Sequence, residues 1–346
     1  MFRKHSLTRG MYRMGARLST PLPSHPVERL QIGAPGANLR KTAQASAGGA
    51  DTDQAGMDFD TLDQFKAAPK GQYGKGPFAL VIAEDRVELA STLDHVQSLG
   101  FKAIFVLAPA GLDVPPPPAG AEKTRHIIRH PSRQPGAVTK AVNALAEKVP
   151  GEWVHYCFNG EYLFYPFCED RTVGEMTTWV MEERRSAILT YVIDLYAPDL
   201  NMHPDAVSLD TAMLDGSGYY AQTRKNAAGD VMERQLDFYG GLRWRFEEHV
   251  AQPKRKIDRV GLFQAQPGVH LRDDHTLSDE EMNTYTCPWH NSLSAAICSF
   301  RVAKALRTNP GSRYDISDFR WHKSVPFHWS SLQLMELGLM EPGQWF

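Results

Sequence analysis

Apolar residues in the middle of the chain recur in short continuous runs, and these runs are separated by stretches with helical spacing. A short apolar run bounded by turn residues is typical of a buried strand, whereas apolar residues three or four apart mark one face of a helix. The resulting prediction from residue 78 onward is strand Phe78–Ile82, helix Arg86–Leu99, strand Ala103–Ala108, strand Arg125–Arg129, helix Pro135–Val149 and strand Trp153–Phe158. This alternation predicts an α/β fold with a mostly parallel sheet flanked by helices.

Beyond residue 165 the pattern continues and then weakens. Residues 198–236 are polar and contain Pro, Gly and Asn, which predicts a long loop or insertion. The other predicted elements are helix Thr172–Glu183, strand Ala187–Tyr196 with Asp194 near its end, a glycine-hinged strand Asp237–Phe246, helix Ser292–Leu306 capped by Ser292, and an aromatic-rich tail from Arg313 that packs down.

The first 75 residues differ from the rest of the chain. They are rich in Gly, Ala, Ser, Pro and Gln and lack a sustained apolar period, so we predict a disordered or weakly ordered tail, with order beginning at Pro77. The first twenty residues carry basic side chains and no acid, as organelle transit peptides do. A disordered basic tail or a start codon assigned too early gives the same string.

Composition narrows the class of protein. The net charge of −2 and the hydrophobic content of 42% are those of an ordinary globular protein, with no basic surplus that would favour nucleic acid. Four cysteines in 346 residues do not form a disulfide framework, which favours a reducing compartment and a cytoplasmic location. No apolar run reaches membrane-spanning length. The oligomeric state is not indicated.

The stretch 151–171, GEWVHYCFNGEYLFYPFCEDR, combines a buried strand with a polar turn. Asn159-Gly160 is a turn dipeptide, so Asn159 and Glu161 follow the carboxyl end of the strand that ends at Phe158. Glu84 and Asp85 follow the first strand in the same way. Ligands of open α/β sheets bind in the crevice beyond the carboxyl ends of the strands, so we expect a ligand site near these four side chains.

The order of the elements, the segment EWVHYCFNGEYLFYP, the following RTVGE helix and the strand that ends IDLY resemble family-2-type glycosyltransferases of the GT-A fold. The segment is most similar to a subgroup whose hallmark is Asp-any-Asp-Glu-Phe-Leu followed by Tyr-Pro. The later GGLRWR and the histidines near 270 and 275 are similar to that subgroup too. The resemblance covers roughly 78–306. It implies a GT-A-like, Rossmann-like domain at 76–310 and a C-terminal extension at 311–346.

The resemblance also implies a nucleotide-sugar donor, a glycan or lipid acceptor, and a divalent cation, Mn²⁺ or Mg²⁺, that neutralises the leaving diphosphate. Its ligands would be Glu161, Asn159 and His275. The hallmark is degenerate, because Phe158 and Gly160 stand where it has aspartates, and this weakens a metal site. Glu84 and Asp85 are candidates for binding the nucleoside. In the turn after the second strand, APAGLD, Asp113 is the candidate donor contact.

Two further groups of residues are candidates for the chemistry of transfer. Arg243 and Arg245 lie two apart in a presumed strand, so their guanidinium groups would share one face and suit a diphosphate. An inverting transfer needs an acid that accepts the proton of the acceptor hydroxyl. Asp237, Glu247 and Glu248 flank the presumed strand, and of these Asp237 is our candidate, with Glu161 as a second catalytic acid.

Alternative interpretations remain for the same residues. Asn159-Gly160 can be a plain turn and Glu161 a solvated acid. Loss of both hallmark aspartates and of the donor turn also fits a catalytically degenerate glycosyltransferase-fold protein that binds a glycan or a protein. A metal hydrolase would require His270, Asp274, His275 and His290 to converge. A zinc site at Cys287 and His290 would require two further ligands.

Overall fold

The computed structural model describes residues 56–121, 124–288 and 291–345 of the chain. The strands of the described residues are β1 (Asp58–Phe59), β2 (Phe78–Ile82), β3 (Ala103–Ala108), β4 (Arg125–Arg129), β5 (Trp153–Phe158), β6 (Glu161–Phe164), β7 (Ala187–Tyr196), β8 (Met213–Asp215), β9 (Tyr220–Lys225), β10 (Val231–Tyr239), β11 (Asp258–Gln264), β12 (Ala295–Ser299) and β13 (Ser324–Pro326). The helices are α1 (Leu62–Ala67), α2 (Leu89–Ser98), α3 (Ala137–Lys148), α4 (Val173–Glu182), α5 (Gly241–Arg245), α6 (Arg301–Thr308) and α7 (Ser331–Glu336).

One large mixed sheet organises the molecule, with the strand order β1-β4-β3-β2-β5-β11-β7-β12-β6. The strands from β1 to β5 in this order are mutually parallel. β11 is inserted antiparallel between β5 and β7, and β12 then runs parallel to β7. The prediction of an α/β fold with a mostly parallel sheet is confirmed, because most neighbouring strands in this path run in the same direction.

Helices cover both faces of the sheet because the strands are apolar on both sides. On one face α1 and α3 contribute Phe65 and Leu145 to a core that includes Leu80 and Phe105. On the other face α2 and α4 pack against alternate residues of the same strands, among them Val81. The continuous burial of β2, β3 and β5 follows from this sandwich, and it explains why these strands appear in the sequence as unbroken apolar runs.

The predicted loop at 198–236 is wrong for much of its length. β8 pairs antiparallel with the last two residues of β7, and β9 and β10 form an antiparallel two-stranded sheet. Apart from Val231, the β9–β10 hairpin has polar residues at its exposed positions, and it turns through Asn226–Gly229, where the Asn226 side chain accepts backbone hydrogen bonds. A hairpin that buries so little apolar surface leaves only a faint alternation in the sequence.

Two other element predictions need correction. The strand predicted at Asp237–Phe246 ends at Tyr239, because the backbone at Gly240 and Gly241 breaks the extended conformation and α5 begins. The helix predicted at Ser292–Leu306 is β12 followed by α6, and the Ser292 hydroxyl accepts from the Cys287 N–H rather than capping a helix. The small apolar run Ala295–Ser299 fits between β7 and β6, where all five residues are buried.

Order begins earlier than the predicted start at Pro77. In β1 and α1, Phe59 and Phe65 are buried in the core, and the Thr61 hydroxyl caps α1 by accepting from the Gln64 N–H. The apolar pattern of β1 and α1 is too short to predict an element from the sequence, because a long polar stretch precedes it. The rest of the predicted tail, residues 1–55, lies outside the described residues, as does its basic first segment.

The C-terminal segment lies against the main sheet. β13 pairs with β8, and Trp345 packs near Tyr165, Phe167 and Trp179, with ring centroids 6.1–6.3 Å apart. In the ranges that the structure describes, no helix has both the length and the apolar composition that crossing a bilayer requires.

Candidate functional site

Charged and polar side chains collect at one edge of the sheet. β2, β5, β7 and β12 run in the same direction and end at this edge, and the antiparallel β6 and β11 begin there. The groups that this brings together are Glu84, Asp85, Asn159, Glu161, Asp194, Arg259 and Arg301. We call this set of residues the carboxyl-edge cluster. Within it, Asn159 contacts both Glu84 and Asp85 directly.

The Asn159 side chain, at the end of β5, forms hydrogen bonds with the residues that follow β2. Its Oδ1 accepts from the Glu84 N–H at 2.8 Å, and its Nδ2 donates to Asp85 Oδ1 and to the Val87 carbonyl, both at 2.8 Å. The turn continues through Gly160, whose φ of +76° is in the left-handed region that favours glycine. Asn159 is 1% exposed and its amide oxygen already has a donor, so it is not placed as a metal ligand.

Glu161 is a buried partner of Arg259 and not a solvated acid. Its Oε2 accepts from Arg259 Nη2 at 2.6 Å and from the Phe158 N–H at 3.0 Å, and its Oε1 accepts from the Ser299 hydroxyl at 3.1 Å. Burial alone would raise the pKa of Glu161, but the guanidinium groups of Arg259 and Arg301 outweigh it and the pKa is lowered. The carboxylate is therefore ionised, inaccessible and fully bonded, which suits neither metal ligation nor proton transfer to a substrate.

His275 contacts the same tyrosine, Tyr156, as Arg259 of the Glu161–Arg259 ion pair. Its ring stacks on the ring of Tyr156, and its Nδ1 forms a hydrogen bond of 3.0 Å with the tyrosine hydroxyl. The Arg259 guanidinium also lies over the Tyr156 ring. Burial, with Arg259 as a second cause, lowers the pKa of His275 to about 3, so the imidazole is neutral. His275 is thus bonded to Tyr156, whereas Glu161 is bonded to Arg259, and the two side chains do not share a ligand site.

The residues that the GT-A resemblance assigns to a divalent cation do not fit one. Asn159 and Glu161 use their oxygen atoms on neighbouring groups of the protein, and Nδ1 of His275 is bonded to Tyr156. Within 56–121, 124–288 and 291–345, no three His, Cys, Asp or Glu side chains are grouped so that they could hold a metal ion. His290, on which the zinc and hydrolase alternatives both depend, lies outside the described residues, and His270 is exposed on its loop.

Glu84 pairs with a residue that the sequence patterns did not single out. Arg301 donates to Glu84 through Nε at 2.8 Å and through Nη2 at 2.7 Å, which is the bidentate fork geometry. The guanidinium carbon lies 3.8 Å from the centre of the Phe158 ring. Arg301 follows β12 directly, so recognising Ala295–Ser299 as a strand would have placed it at this edge.

Asp85 is surrounded by cations and donors. Lys304, three residues beyond Arg301 on α6, contacts both carboxylate oxygens at 2.9 Å, and Arg133 contacts Oδ2 at 3.1 Å. Burial opposes ionisation, but the hydrogen bond and charge of Lys304 lower the pKa of Asp85. Glu84 and Asp85 therefore anchor basic side chains of the edge.

Arg243 and Arg245 do not form the predicted common face. They lie on α5, where residues two apart point in widely different directions, and each finds its own acid. Arg243 approaches Asp194 at 3.4 Å and donates to the Lys256 carbonyl, whereas Arg245 forms a fork on Asp215 at 2.8 and 3.1 Å. A diphosphate clamp made of both arginines is inconsistent with these contacts.

Asp237 and Asp113 lie apart from the carboxyl-edge cluster. Asp237 sits on β10 and pairs with Arg224 at 2.7 Å and Lys256 at 2.9 Å. Asp113 is 88% exposed in a surface ion pair with Arg86. No feature of either environment supports the roles assigned from the resemblance.

Asp194 is the acid of the carboxyl-edge cluster whose burial is least offset by neighbouring cations and hydrogen bonds. It is fully buried near the end of β7, with Arg243 as its cationic neighbour, and burial raises its pKa to about 6. Nearby, the buried hydroxyl of Tyr219 has no hydrogen-bond partner among the described residues. The sequence placed Asp194 near a strand end, but its neighbours come from α5 and could not be inferred.

A cavity of about 480 Å³ lies farther along the same edge of the sheet, at the ends of β3 and β4. Its lining includes the basic side chains of Lys66, Arg129, His130 and Lys140 together with Asp60 and Asp63. Its volume is in the range of small-molecule sites.

A scan against protein-family models and a search of curated proteins return no match to this chain.

Proposed function

We propose that the chain is a GT-A-like glycosyltransferase that moves a sugar from a nucleotide donor to a glycan or lipid acceptor, with the donor bound at the carboxyl edge of the sheet. The observation that carries the proposal is the position of the turn FNGE, which follows β5 at the edge where β2, β7 and β12 also end. Open α/β sheets bind ligands at this edge. The resemblance of the stretch around FNGE to the glycosyltransferase hallmark supplies the substrate class.

Two features of the edge support binding of an anionic donor. Arg301, Lys304 and Arg133 present cationic groups there, and arginine forks suit phosphate oxygens. The cavity at the ends of β3 and β4 adds a concave space with further basic side chains. Catalysis of sugar transfer depends on stabilising the negative charge that develops on the leaving diphosphate, which fixed cations can do.

A second function is favoured by the contacts of Glu161 and Asn159. Both side chains are consumed by internal hydrogen bonds, as expected for a catalytically degenerate protein that binds a glycan or another protein through the same scaffold. In that case nucleotide donors would bind weakly or not at all, and no nucleotide would be released.

Isothermal titration with UDP-, GDP- and CMP-sugars, each with EDTA and with manganese, tests the first proposal. We expect one donor class to bind and to release its nucleotide when glycan or lipid acceptors are supplied. If no donor binds under either condition, sugar transfer is ruled out. Absence of donor binding, or weak binding without release across the acceptor panel, would favour the second function.

A further inference from the structure

We propose that Arg301 supplies the positive charge that a divalent cation would otherwise supply, so that the diphosphate of the ligand binds this edge without metal. The inference rests on the proposed function for the identity of the ligand as a nucleoside diphosphate. The anion site itself is argued from the contacts of Arg301.

The guanidinium group of Arg301 is held in one orientation from two sides. Glu84 engages Nε and Nη2 in a bidentate pair, and the face of the Phe158 ring lies 3.8 Å from the guanidinium carbon. A planar cation on an aromatic face is favourable in its own right. In the sequence, Phe158 stands where the glycosyltransferase hallmark has its first aspartate, so this position holds an aromatic residue whose ring packs against a protein cation.

Glu84 leaves part of the guanidinium group available. A guanidinium has five N–H donors, of which Glu84 takes one on Nε and one on Nη2. Among the described residues, Nη1 donates no hydrogen bond, and the side chain is 38% exposed. Arg301 can therefore donate to an incoming phosphate while Glu84 keeps it oriented.

The groups around Arg301 support an anion and not a cation as the ligand. Lys304 lies on the same side of α6 and adds a second positive charge beside Asp85. Burial would lower the pKa of Arg301, but Glu84 outweighs it and the pKa is raised, so the guanidinium stays charged. The carboxylates beside these cations, Glu84 and Asp85, are already paired with them.

The test is titration of the full chain with inorganic pyrophosphate and with UDP, GDP and CMP, in EDTA and again with manganese. We expect pyrophosphate and one nucleotide to bind in EDTA, and we expect manganese, which complexes these anions in solution, not to strengthen their binding. Arg301→Gln should weaken both by about tenfold or more, because a charge-assisted phosphate contact is lost. Arg272→Gln is the matched control, since Arg272 has a similar exposure of 39% and also pairs with a glutamate.

Circular dichroism establishes whether Arg301→Gln is folded. If it is not, Arg301→Lys replaces it, because lysine keeps the charge for Glu84 and loses the planar fork, and a several-fold weaker binding is expected. Unchanged binding in the folded variant, or an equal loss in Arg272→Gln, would overturn the role of Arg301.

The outcomes separate this inference from the proposed function. Nucleotide binding that requires manganese would overturn the inference and leave sugar transfer standing. Arg301-dependent binding of pyrophosphate with no binding of any nucleotide donor would support the anion site and contradict sugar transfer. Absence of binding for pyrophosphate and nucleotides alike would overturn both.

Discussion

At the residue scale, Glu161 shows how a side chain suited to chemistry can serve the fold. Its two oxygens accept from Arg259, from the Phe158 N–H and from Ser299, and it is 1% exposed. Desolvating two charges is costly, and the direct contact with Arg259 is what offsets that cost. Removing one partner leaves the other charged and buried, so the pair is expected to be sensitive to substitution.

Glu161→Gln is expected to lower the free energy of unfolding by about 3–5 kcal/mol, because it leaves the buried Arg259 without its counter-charge. Urea denaturation followed by tryptophan fluorescence measures the change. Asp113→Asn breaks an exposed ion pair with Arg86 and should cost less than about 1 kcal/mol. Similar values for the two variants would contradict a structural role for the Glu161–Arg259 pair.

At the element scale, the junction between β10 and α5 sets the environment of Asp194. The chain turns at Gly240 and Gly241, and this turn brings the Arg243 side chain to the buried carboxylate. A Cβ on Gly240 would lie 2.2 Å from Cδ1 of Tyr219, so the ring of Tyr219 occupies the space that any other residue would need. The glycine is required by this close approach.

Gly240→Ala is expected to destabilise the fold by about 1–3 kcal/mol, as other overpacked sites do, because the Tyr219 ring must shift. Thermal and urea unfolding measure the effect. Gly311→Ala is the control, since the nearest atom to its added Cβ is on the flexible side chain of Asn309 at 3.6 Å. Equal stability of Gly240→Ala and the wild type would show that the junction can relax around a methyl group.

At the scale of the whole molecule, the C-terminal segment closes one face of the sheet. The Glu341 N–H and carbonyl bond to Ser294, next to β12, and Trp345 then covers the core above α4. Because β12 also leads into Arg301, the segment supports the strand that positions the proposed anion site. Residues far from the edge in sequence thereby contribute to its geometry.

Trp345→Ala is expected to lower the free energy of unfolding by about 3 kcal/mol or more, since the side chain is 8% exposed and packs among three aromatic rings. Tyr314→Ala, at a position that is 77% exposed, should change it by less than about 0.5 kcal/mol. Equilibrium unfolding in urea compares the two. A Trp345→Ala protein as stable as the wild type would mean that the end of the chain does not seal the core.

The sequence by itself determined the elements whose pattern is local. The apolar runs of β2, β3 and β5 and the helical spacing of α2, α3 and α4 are visible within a few residues, so the parallel half of the sheet and its helical layers could be predicted. The turn at Asn159-Gly160 was predictable for the same reason. The β9–β10 hairpin was missed because its polar residues carry little period, and β12 was missed because its apolar residues were read together with those of α6 as one helix.

Only the tertiary structure decided what the polar residues do. Glu84 and Arg301 are 217 residues apart in the chain, and Glu161 and Arg259 are 98 apart, so no local pattern reveals that each acid has a dedicated cation. Ion pairing depends on which strand ends become neighbours, and this depends on sheet order. The sequence thus indicated the edge at which these polar residues would lie, and the packing of β11 and β12 decided that Glu161 is bonded internally and that Arg301 pairs with Glu84 while it stays partly exposed.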